Sequence, residues 1–168
     1  MLIRQESRSD YKNIRQLNDA AFGSTEESQL IDHLRAEGSA VLSLVAEDEG
    51  DIIGHIMFSR VEIVGKAGAP MPVVALAPMA VSSVHQRKGV GGALIQQGLR
   101  ILKQRGEKAV FVVGHKSYYP KFGFSAALAA PFKCEYSGDS FFALELQPAW
   151  IAGKKGTVVY PETFRRLS

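Results

Sequence analysis

The sequence predicts a mixed α/β fold in which a mostly antiparallel sheet carries helices on both faces. Short apolar runs of strand length alternate with segments whose apolar residues recur every three or four positions, as in amphipathic helices. A turn rich in glycine and acidic residues joins two strand-like runs in the first half, which is typical of an antiparallel hairpin. In the second half a strand, a glycine-rich turn, a helix and another strand follow in order, which favours a parallel crossover.

The first predicted elements are a short strand and two helices. Residues 2–4 are strand-like, and apolar residues three or four positions apart between 11 and 21 share one helix face. Ser24, with Glu27 three residues later, is typical of a capping box and predicts the start of a second helix. Gly38 is positioned to end that helix.

A hairpin and a further strand come next. Residues 41–46 are strand-like, and the turn Glu49-Gly50-Asp51 leads into a strand that runs from 52 through 64. Residues 73–81 form another apolar run of strand length. Together with the second half of the chain, the predicted order is β-α-α-β-β-β-α-β-α-β-β.

The second half contains one long helix, three strand-like runs and, in the predicted order, a second helix after the first of these runs. Apolar residues recur at helical spacing from Leu94 until Gly106 provides a stop. The strand-like runs are residues 109–114, 141–146 and the start of 158–164.

The segment Gln86 to Ala93 reads Gln-Arg-Lys-Gly-Val-Gly-Gly-Ala and lies where the long helix begins. Free backbone N–H groups and the positive end of the helix dipole point out of such a turn. Gly89 and Gly91 carry no Cβ that would keep an anion away, and Arg87 and Lys88 add positive charge. We interpret the turn as a backbone cradle for a pyrophosphate. The alternative, in which the glycines only start a helix and the basic residues face solvent, remains open at this point.

Two other phosphate-binding loops do not fit. A Walker A loop needs Gly-Lys-Ser/Thr after its last glycine, whereas Gly92 is followed by Ala93 and Leu94. A Rossmann fingerprint would need glycine at position 94.

Two motifs make the chain resemble the GNAT superfamily of acyl-CoA-dependent N-acyltransferases. Gln86, Gly89 and Gly91 match its motif A, Gln/Arg-x-x-Gly-x-Gly/Ala, after an apolar strand. A second apolar strand precedes Tyr119-Pro120-Lys121-Phe122-Gly123-Phe124, which resembles motif B, Tyr-x-x-x-Gly-Phe. The two segments that close the chain resemble the YhbS-type branch of predicted acetyltransferases.

The resemblance implies a GNAT-type sheet whose two central parallel strands splay apart and receive the pantetheine arm of acetyl-CoA. Acetyl-CoA is then the acyl donor, and the implied reaction is direct transfer of its acetyl group to a primary amine of a small molecule or peptide. Pro78, inside the first of these strands, cannot donate a ladder hydrogen bond and agrees with disrupted pairing. The residues expected to contact acetyl-CoA are Met79, Ala80, Val81, Gln86, Arg87, Lys88, Gly89, Val90, Gly91, Gly92, Ala93 and Tyr119.

The same resemblance implies that Tyr119 is the general acid. A phenol with a reference pKa of about 10 can protonate a departing thiolate that is only slightly less basic. Many relatives carry a glutamate base on the first splayed strand, but here the stretch Ala75-Leu76-Ala77 has no titratable group. Glu27 and His115 are the candidate bases, although Glu27 could serve only as a helix cap and His115 could only shape its loop. A water chain that ends on backbone carbonyls is the third option.

Length and composition limit the other possibilities. The 168 residues predict one domain over residues 1–168, and the absence of a signal or a long apolar span predicts a soluble, cytoplasmic protein without membrane contact. The net charge of +3 favours steering of an anionic cofactor, and no aromatic-interleaved basic groove indicates nucleic acid. The single cysteine cannot form an internal disulfide, and the four histidines lack zinc-site spacing, so no metal is expected.

A second functional class stays open, namely a domain that binds acetyl-CoA without turnover, as a sensor or a partner. Tyr119 favours the enzyme. The acceptor is not identified by any motif, although the loops 20–27, 64–71 and 132–140 are expected to shape its pocket. We expect a monomer or a homodimer.

Overall fold

The computed structural model describes residues 1–136 and 140–166 of the chain. Four short 3-10 helices lie among its strands and α-helices. One of them, Ser83–His85, directly precedes the glycine-rich turn, and another, Tyr119–Phe122, begins at Tyr119. The strands and helices, in chain order, are β1 (Leu2–Gln5), α1 (Tyr11–Phe22), α2 (Glu26–Ala36), β2 (Ala40–Asp48), β3 (Asp51–Val64), β4 (Met71–Val81), α3 (Val90–Gln104), β5 (Ala109–Val113), α4 (Ala126–Ala129), β6 (Phe132–Lys133), β7 (Phe141–Glu145) and β8 (Gly156–Val159).

The chain divides into two compact units. The first contains residues 1–59, residues 77–98 and the chain from 162 onward, and the second contains residues 60–76 and 99–161. The strands β3 and β4 and the helix α3 each contribute residues to both units. The predicted single domain over residues 1–168 stays a prediction.

In the first unit the strand order is β1-β2-β3-β4, with antiparallel pairing of β2 to both β1 and β3. Asp48 pairs with Asp51, and Glu49 and Gly50 between them both have positive φ, 51° and 85°. This is the tight two-residue hairpin turn that the sequence predicts. The helix α1 buries Ile14 and Leu17 of the predicted apolar face, whereas Ala21 at its end is exposed.

The helix α3 lies close to β3 because two glycines leave room for it. A Cβ at Gly54 would stand 2.9 Å from Val90 Cγ1 and 3.0 Å from Leu94 Cδ1. A Cβ at Gly98 would stand 2.6 Å from Cζ of the buried Phe58. Side chains larger than hydrogen at either glycine would therefore push the start of α3 away from the strand.

In the second unit the strand order is β3-β4-β5-β7, and β8 pairs with both β3 and β6. Strands β4 and β5 are parallel, as predicted, and their pairing comprises Val74 with Val110 and Ala75 with Phe111. The pairing therefore stops before Pro78, which agrees with the expected disruption of this strand pair. Strand β7 pairs antiparallel with β5 along all five residues from 109 to 113. This mixed, mostly antiparallel sheet agrees with the predicted fold class.

Two details of the predicted elements are wrong. The residue that caps α2 is Thr25, and it makes no side-chain capping bond. Ser24 instead accepts a hydrogen bond from the backbone N–H of Glu26 at 3.3 Å, and its hydroxyl lies 3.5 Å from the Glu27 carboxylate. The contact between Ser24 and Glu27 exists, but the helix starts one residue later than the capping box predicts.

The other error concerns strand number. The predicted order lacks β6, which consists only of Phe132 and Lys133 and is parallel to β8. A two-residue strand has no alternation that a sequence pattern could reveal. Part of the predicted acceptor loop 132–140 lies outside the described residues, namely 137–139.

Candidate active site

The glycine-rich turn lies at the beginning of α3 in the first unit, as predicted. Arg87 and Gly89 have positive φ values, 64° and 84°. The first intrahelical bond after this turn runs from the Ala93 N–H to the Gly89 carbonyl oxygen at 3.0 Å. The N–H groups of Val90 and of the two glycines after it precede that bond, so they have no acceptor inside the helix. Three backbone donors and the positive end of the helix dipole are thus available to an anion.

The approach to these donors is open. No atom lies within 4 Å of the position that a Cβ would take at Gly89, and Gly89 is exposed together with Arg87 and Lys88. The side-chain amide of Gln86 donates a hydrogen bond to the Val81 carbonyl oxygen at 3.2 Å. This bond ties the turn to the end of β4.

The predicted pantetheine contacts lie along the end of β4. Met79 and Val81 are half-buried and Ala80 is buried, so alternate side chains reach the surface. Val81, Ser82 and Ser83 also line a cleft of about 390 Å³ whose opposite wall is α1, residues 13–21, with Asp51 at its edge. The end of β4 therefore offers both a polar turn and an accessible cleft.

Tyr119 lies in the second unit, at the start of the 3-10 helix that follows β5. Its ring makes edge-to-face contacts with Tyr118 and Phe124, at centroid distances of 5.2 and 5.8 Å. Gly114 leaves room for the ring, since a Cβ there would lie 2.9 Å from Tyr119 Cδ2. Gly123, the motif-B glycine, ends the short helix with φ 99°. The motif therefore holds the tyrosine ring through packing and through a left-handed turn that favours glycine.

The Tyr119 hydroxyl makes no hydrogen bond to the residues that the structure describes. Burial raises the pKa of Tyr119 to about 12, and the neighbouring Tyr118 adds to the rise. The side chain is therefore neutral and protonated at physiological pH, as a proton donor must be.

The two candidate bases occupy different surroundings. Glu27 is half-buried on the first turn of α2, and its carboxylate contacts the Ser24 hydroxyl just before the helix. His115 is exposed, and its carbonyl oxygen accepts hydrogen bonds from the N–H groups of Tyr118 and Tyr119, at 3.0 and 3.3 Å. Glu27 belongs to the first unit with the glycine-rich turn, and His115 belongs to the second unit with Tyr119.

A buried polar chain in the first unit was not predicted from the sequence. His55 is fully buried, its Nε2–H donates to Ser43 Oγ at 2.9 Å, and the Ser43 hydroxyl donates to Glu6 at 2.6 Å. Glu6 in turn accepts from Arg35 at 2.7 Å, and Asn18 Nδ2 lies 3.4 Å from His55 Nδ1. The pKa of His55 falls to about 3, mainly because burial disfavours the charged ring and also because Arg35 is near. The ring is thus a neutral structural element.

The described residues contain neither a metal-binding cluster nor a helix that could span a membrane. Among residues 1–136 and 140–166, no three His, Cys, Asp or Glu side chains are grouped so that they could hold a metal ion. None of the helices in the same part of the chain combines the length and the apolar character that crossing a bilayer requires.

Comparison with known sequences gives a consistent result. The family model of the acetyltransferase (GNAT) domain matches residues 2–127. The chain is 34% identical to the uncharacterised N-acetyltransferase YhbS of Escherichia coli K12, across 99% of this chain and 100% of YhbS. It is 42% identical over 119 residues to the uncharacterised N-acetyltransferase YjhQ of the same strain, which is 70% of this chain and 65% of YjhQ.

Solved structures extend the comparison to the fold. The crystal structure of Escherichia coli YhbS in complex with CoA matches 99% of this chain and 93% of that one, with a TM-score of 0.91 and 34% identity. A GNAT family acetyltransferase from Brucella melitensis in complex with acetyl-CoA matches 97% of each chain, with a TM-score of 0.81 and 34% identity. The predicted mixed α/β GNAT fold is confirmed.

Proposed function

The chain belongs to the GNAT family of N-acetyltransferases, and on that premise we propose that it transfers the acetyl group of acetyl-CoA to a primary amine of a small molecule or peptide. The observation that carries the proposal is the open turn at the start of α3, where three N–H groups lack an acceptor inside the helix. Two relatives of the same fold, from Escherichia coli and Brucella melitensis, are complexes with CoA and acetyl-CoA, which supports this choice of donor.

The turn is proposed to hold the pyrophosphate of acetyl-CoA. Each free N–H group can donate a charge-assisted hydrogen bond to a phosphate oxygen, and Arg87 and Lys88 reduce the charge of the bound anion. The missing side chain of Gly89 allows the phosphate to come close to the backbone. Gln86 supports the turn through its bond to Val81.

The end of β4 is proposed to hold the pantetheine arm and the acetyl group. Backbone groups of Met79, Ala80 and Val81 would pair with the pantetheine amides, and a strand N–H near Val81 would polarise the acetyl carbonyl. A donor fixed by a strand needs no rearrangement when negative charge develops on the carbonyl oxygen. The end of the pairing between β4 and β5 at Ala75 is the feature that supports this role.

The chemical step is direct attack of the amine nitrogen on the thioester carbonyl carbon. A C–N bond forms, the C–S bond breaks and CoA leaves as a thiolate, which takes the hydroxyl proton of Tyr119. The nitrogen, which is cationic after the attack, releases its extra proton to water, and the Tyr119 phenolate takes up a proton from water. A free thiol has a reference pKa of about 8.5, so transfer from a phenol of pKa 12 is uphill unless the thiolate is also desolvated. Burial raises the pKa of Tyr119, and it would raise the pKa of a buried CoA thiol in the same way. The difference between the two pKa values would therefore be smaller than the reference values suggest.

The attacking amine must also lose a proton. Strand β4 carries Ala75, Leu76 and Ala77 where a carboxylate would be needed, so we propose that the protein mainly orients an amine that arrives in its neutral form. Positioning alone can contribute roughly 7 to 11 kcal/mol to the barrier reduction. Glu27 and His115 remain the side chains that could add base catalysis. The monomeric or homodimeric state and the cytoplasmic location remain predictions.

The direct test is a turnover screen of acetyl-CoA against amines, amino acids, polyamines and peptides, read by release of free thiol. With an accepted amine, Tyr119→Phe should lower kcat by about 10²- to 10⁴-fold, the usual contribution of a general acid, and should leave acetyl-CoA affinity nearly unchanged. Tyr118→Phe is the matched control, because it removes a hydroxyl from the neighbouring ring and keeps the ring contacts.

Two outcomes would contradict the proposal in different ways. If both tyrosine variants were as active as the wild type, Tyr119 would have no acid role and water would protonate the thiolate. If the wild type bound acetyl-CoA but acetylated none of these acceptors, the chain would instead act as a non-catalytic acetyl-CoA sensor or partner domain.

A further inference from the structure

An exposed, positively charged groove lies in the second unit, on the paired strands β3, β8 and β6. Thr157 of β8 pairs with Val64 of β3 on one side and with Lys133 of β6 on the other, so these three residues stand side by side across the strands. Strand spacing of about 4.8 Å separates each from the next. The same three residues line a groove of about 440 Å³, together with Lys66, Lys155 and Pro131. We call this the lysine groove.

The three lysines of the groove come from three separate chain segments. All three are exposed, and none of their ammonium groups makes an ion pair or a hydrogen bond to the residues that the structure describes. No acidic residue lines the groove. Gathering three ammonium groups around one groove is unfavourable by itself, because like charges repel one another. An anionic ligand would remove this penalty.

Other cations of the same unit show a different pattern. Arg60 makes a two-pronged ion pair with Glu107, with N–O distances of 2.8 and 2.7 Å. Lys108 donates to Gln147, and the Lys121 ammonium lies 4.9 Å from the centroid of the Tyr118 ring. Lys103 and Lys116 of this unit are exposed as well, but each lies outside the groove, whereas the groove brings three lysines together.

The groove also has an apolar part and a close-fitting floor. Val64 keeps 39% of its surface exposed, although it is a large hydrophobic residue. Gly156 lies so close to β3 that a Cβ would stand 2.5 Å from the Val64 carbonyl oxygen. A volume of about 440 Å³ lies within the range of roughly 300 to 1,000 Å³ typical of small-molecule sites.

We propose that the lysine groove binds a small molecule that carries a phosphate group, with an apolar portion against Val64 and Pro131. Lysine ammonium groups are rotatable point charges that bind phosphate oxygens well, and a phosphate monoester carries a larger negative charge than a carboxylate, which suits a groove with three cations. The groove shares no residue with those proposed to bind acetyl-CoA or to transfer protons, although Val64, Lys66 and Lys133 lie in the loops 64–71 and 132–140 that the sequence predicts to shape the acceptor pocket. The inference does not depend on acetyl transfer.

The test uses the full-length protein and follows backbone amides by NMR while phenyl phosphate is added, with CoA present to occupy the turn at residues 86–93. Inorganic phosphate and phenylacetate are titrated in parallel. Inorganic phosphate lacks the aromatic ring, and phenylacetate keeps the ring but carries a carboxylate in place of the phosphate. We expect saturable shifts at Lys133 and Thr157, and tighter binding of phenyl phosphate than of either other probe. The triple substitution Lys66→Gln, Lys133→Gln and Lys155→Gln should weaken this binding at least tenfold.

A second triple variant separates the groove from general charge. Arg8→Gln, Lys12→Gln and Lys103→Gln remove the same charge from exposed positions outside the groove and should leave the affinity for phenyl phosphate within twofold of the wild type. Acetyl-CoA affinity should be unchanged in both triple variants, and loss of it in the groove variant would assign these lysines to the cofactor instead. Equal binding of phenyl phosphate to the wild type and the groove variant, or preference for phenylacetate, would overturn the proposal. Shifts confined to residues 86–93 would overturn it as well.

Discussion

The substitution Gly89→Ala tests the proposed pyrophosphate turn more directly than any other change. Gly89 has φ 84°, and a Cβ there would meet no protein atom within 4 Å. Alanine therefore causes no clash in the free protein, and its cost is the left-handed backbone, about 1 to 2 kcal/mol. For a protein of this size that cost lowers Tm by about 2 to 8 °C.

The effect on the ligand is expected to be larger than this stability loss would suggest. The new methyl group would occupy space that a phosphate oxygen needs, so one or more charge-assisted hydrogen bonds would lengthen or break. A loss of about 2 kcal/mol, at the low end for such bonds, corresponds to roughly thirtyfold weaker binding of acetyl-CoA. Titration calorimetry measures this affinity directly.

Gly50→Ala is the matched control. Gly50 has φ 85°, has no protein atom near its Cβ position and lies in the same unit, in the turn between β2 and β3. It should therefore lose the same stability and keep its affinity for acetyl-CoA. If both variants bound acetyl-CoA as tightly as the wild type, the turn would only start a helix. If both lost affinity equally, the loss would reflect stability and not phosphate contact.

Three other measurements test separate parts of the structure. The free energy of unfolding should fall by about 2 kcal/mol between pH 7 and pH 5. The pKa of His55 is about 3 in the folded protein and 6.5 in the unfolded chain. As the pH falls below 6.5, the unfolded chain takes up a proton that the folded protein does not, so stability is lost. Urea unfolding of His55→Gln should show most of this pH dependence removed, and an unchanged slope would contradict the buried neutral ring. Gly114→Ala should lower kcat, because the new methyl group would displace the Tyr119 ring. In the Tyr119→Phe background the same change should lower kcat little further. If the two losses were additive, the two residues would act independently. The rate should rise with pH toward the pKa of the amine acceptor. A further limb of the pH–rate profile that disappears in His115→Ala or in Glu27→Gln would assign that residue as the base instead.

The turns and the glycine-rich motif could be predicted from the sequence because each depends on neighbouring residues. Gly50, Gly89 and Gly123 all have positive φ, which is the conformation that makes glycine informative in a sequence. The apolar spacing of α1 and α3 likewise depends only on local periodicity.

Contacts between distant segments could not be predicted in this way. His55 meets Ser43 and Asn18 across 12 and 37 residues, and its place in an apolar strand does not show which distant polar groups it would contact. The lysine groove depends on the pairing of β8 with both β3 and β6, a register that the sequence does not contain.

The close seat of α3 on β3 at Gly54 and Gly98 affects how the turn would meet its ligand. Because the start of the helix is held by packing, the three N–H donors already have their directions before any anion arrives. The conformational entropy of ordering them is then lost during folding and not during association. Binding should accordingly proceed without a slow isomerisation step, and substitutions that loosen this packing should reduce affinity through faster dissociation and a less favourable binding entropy.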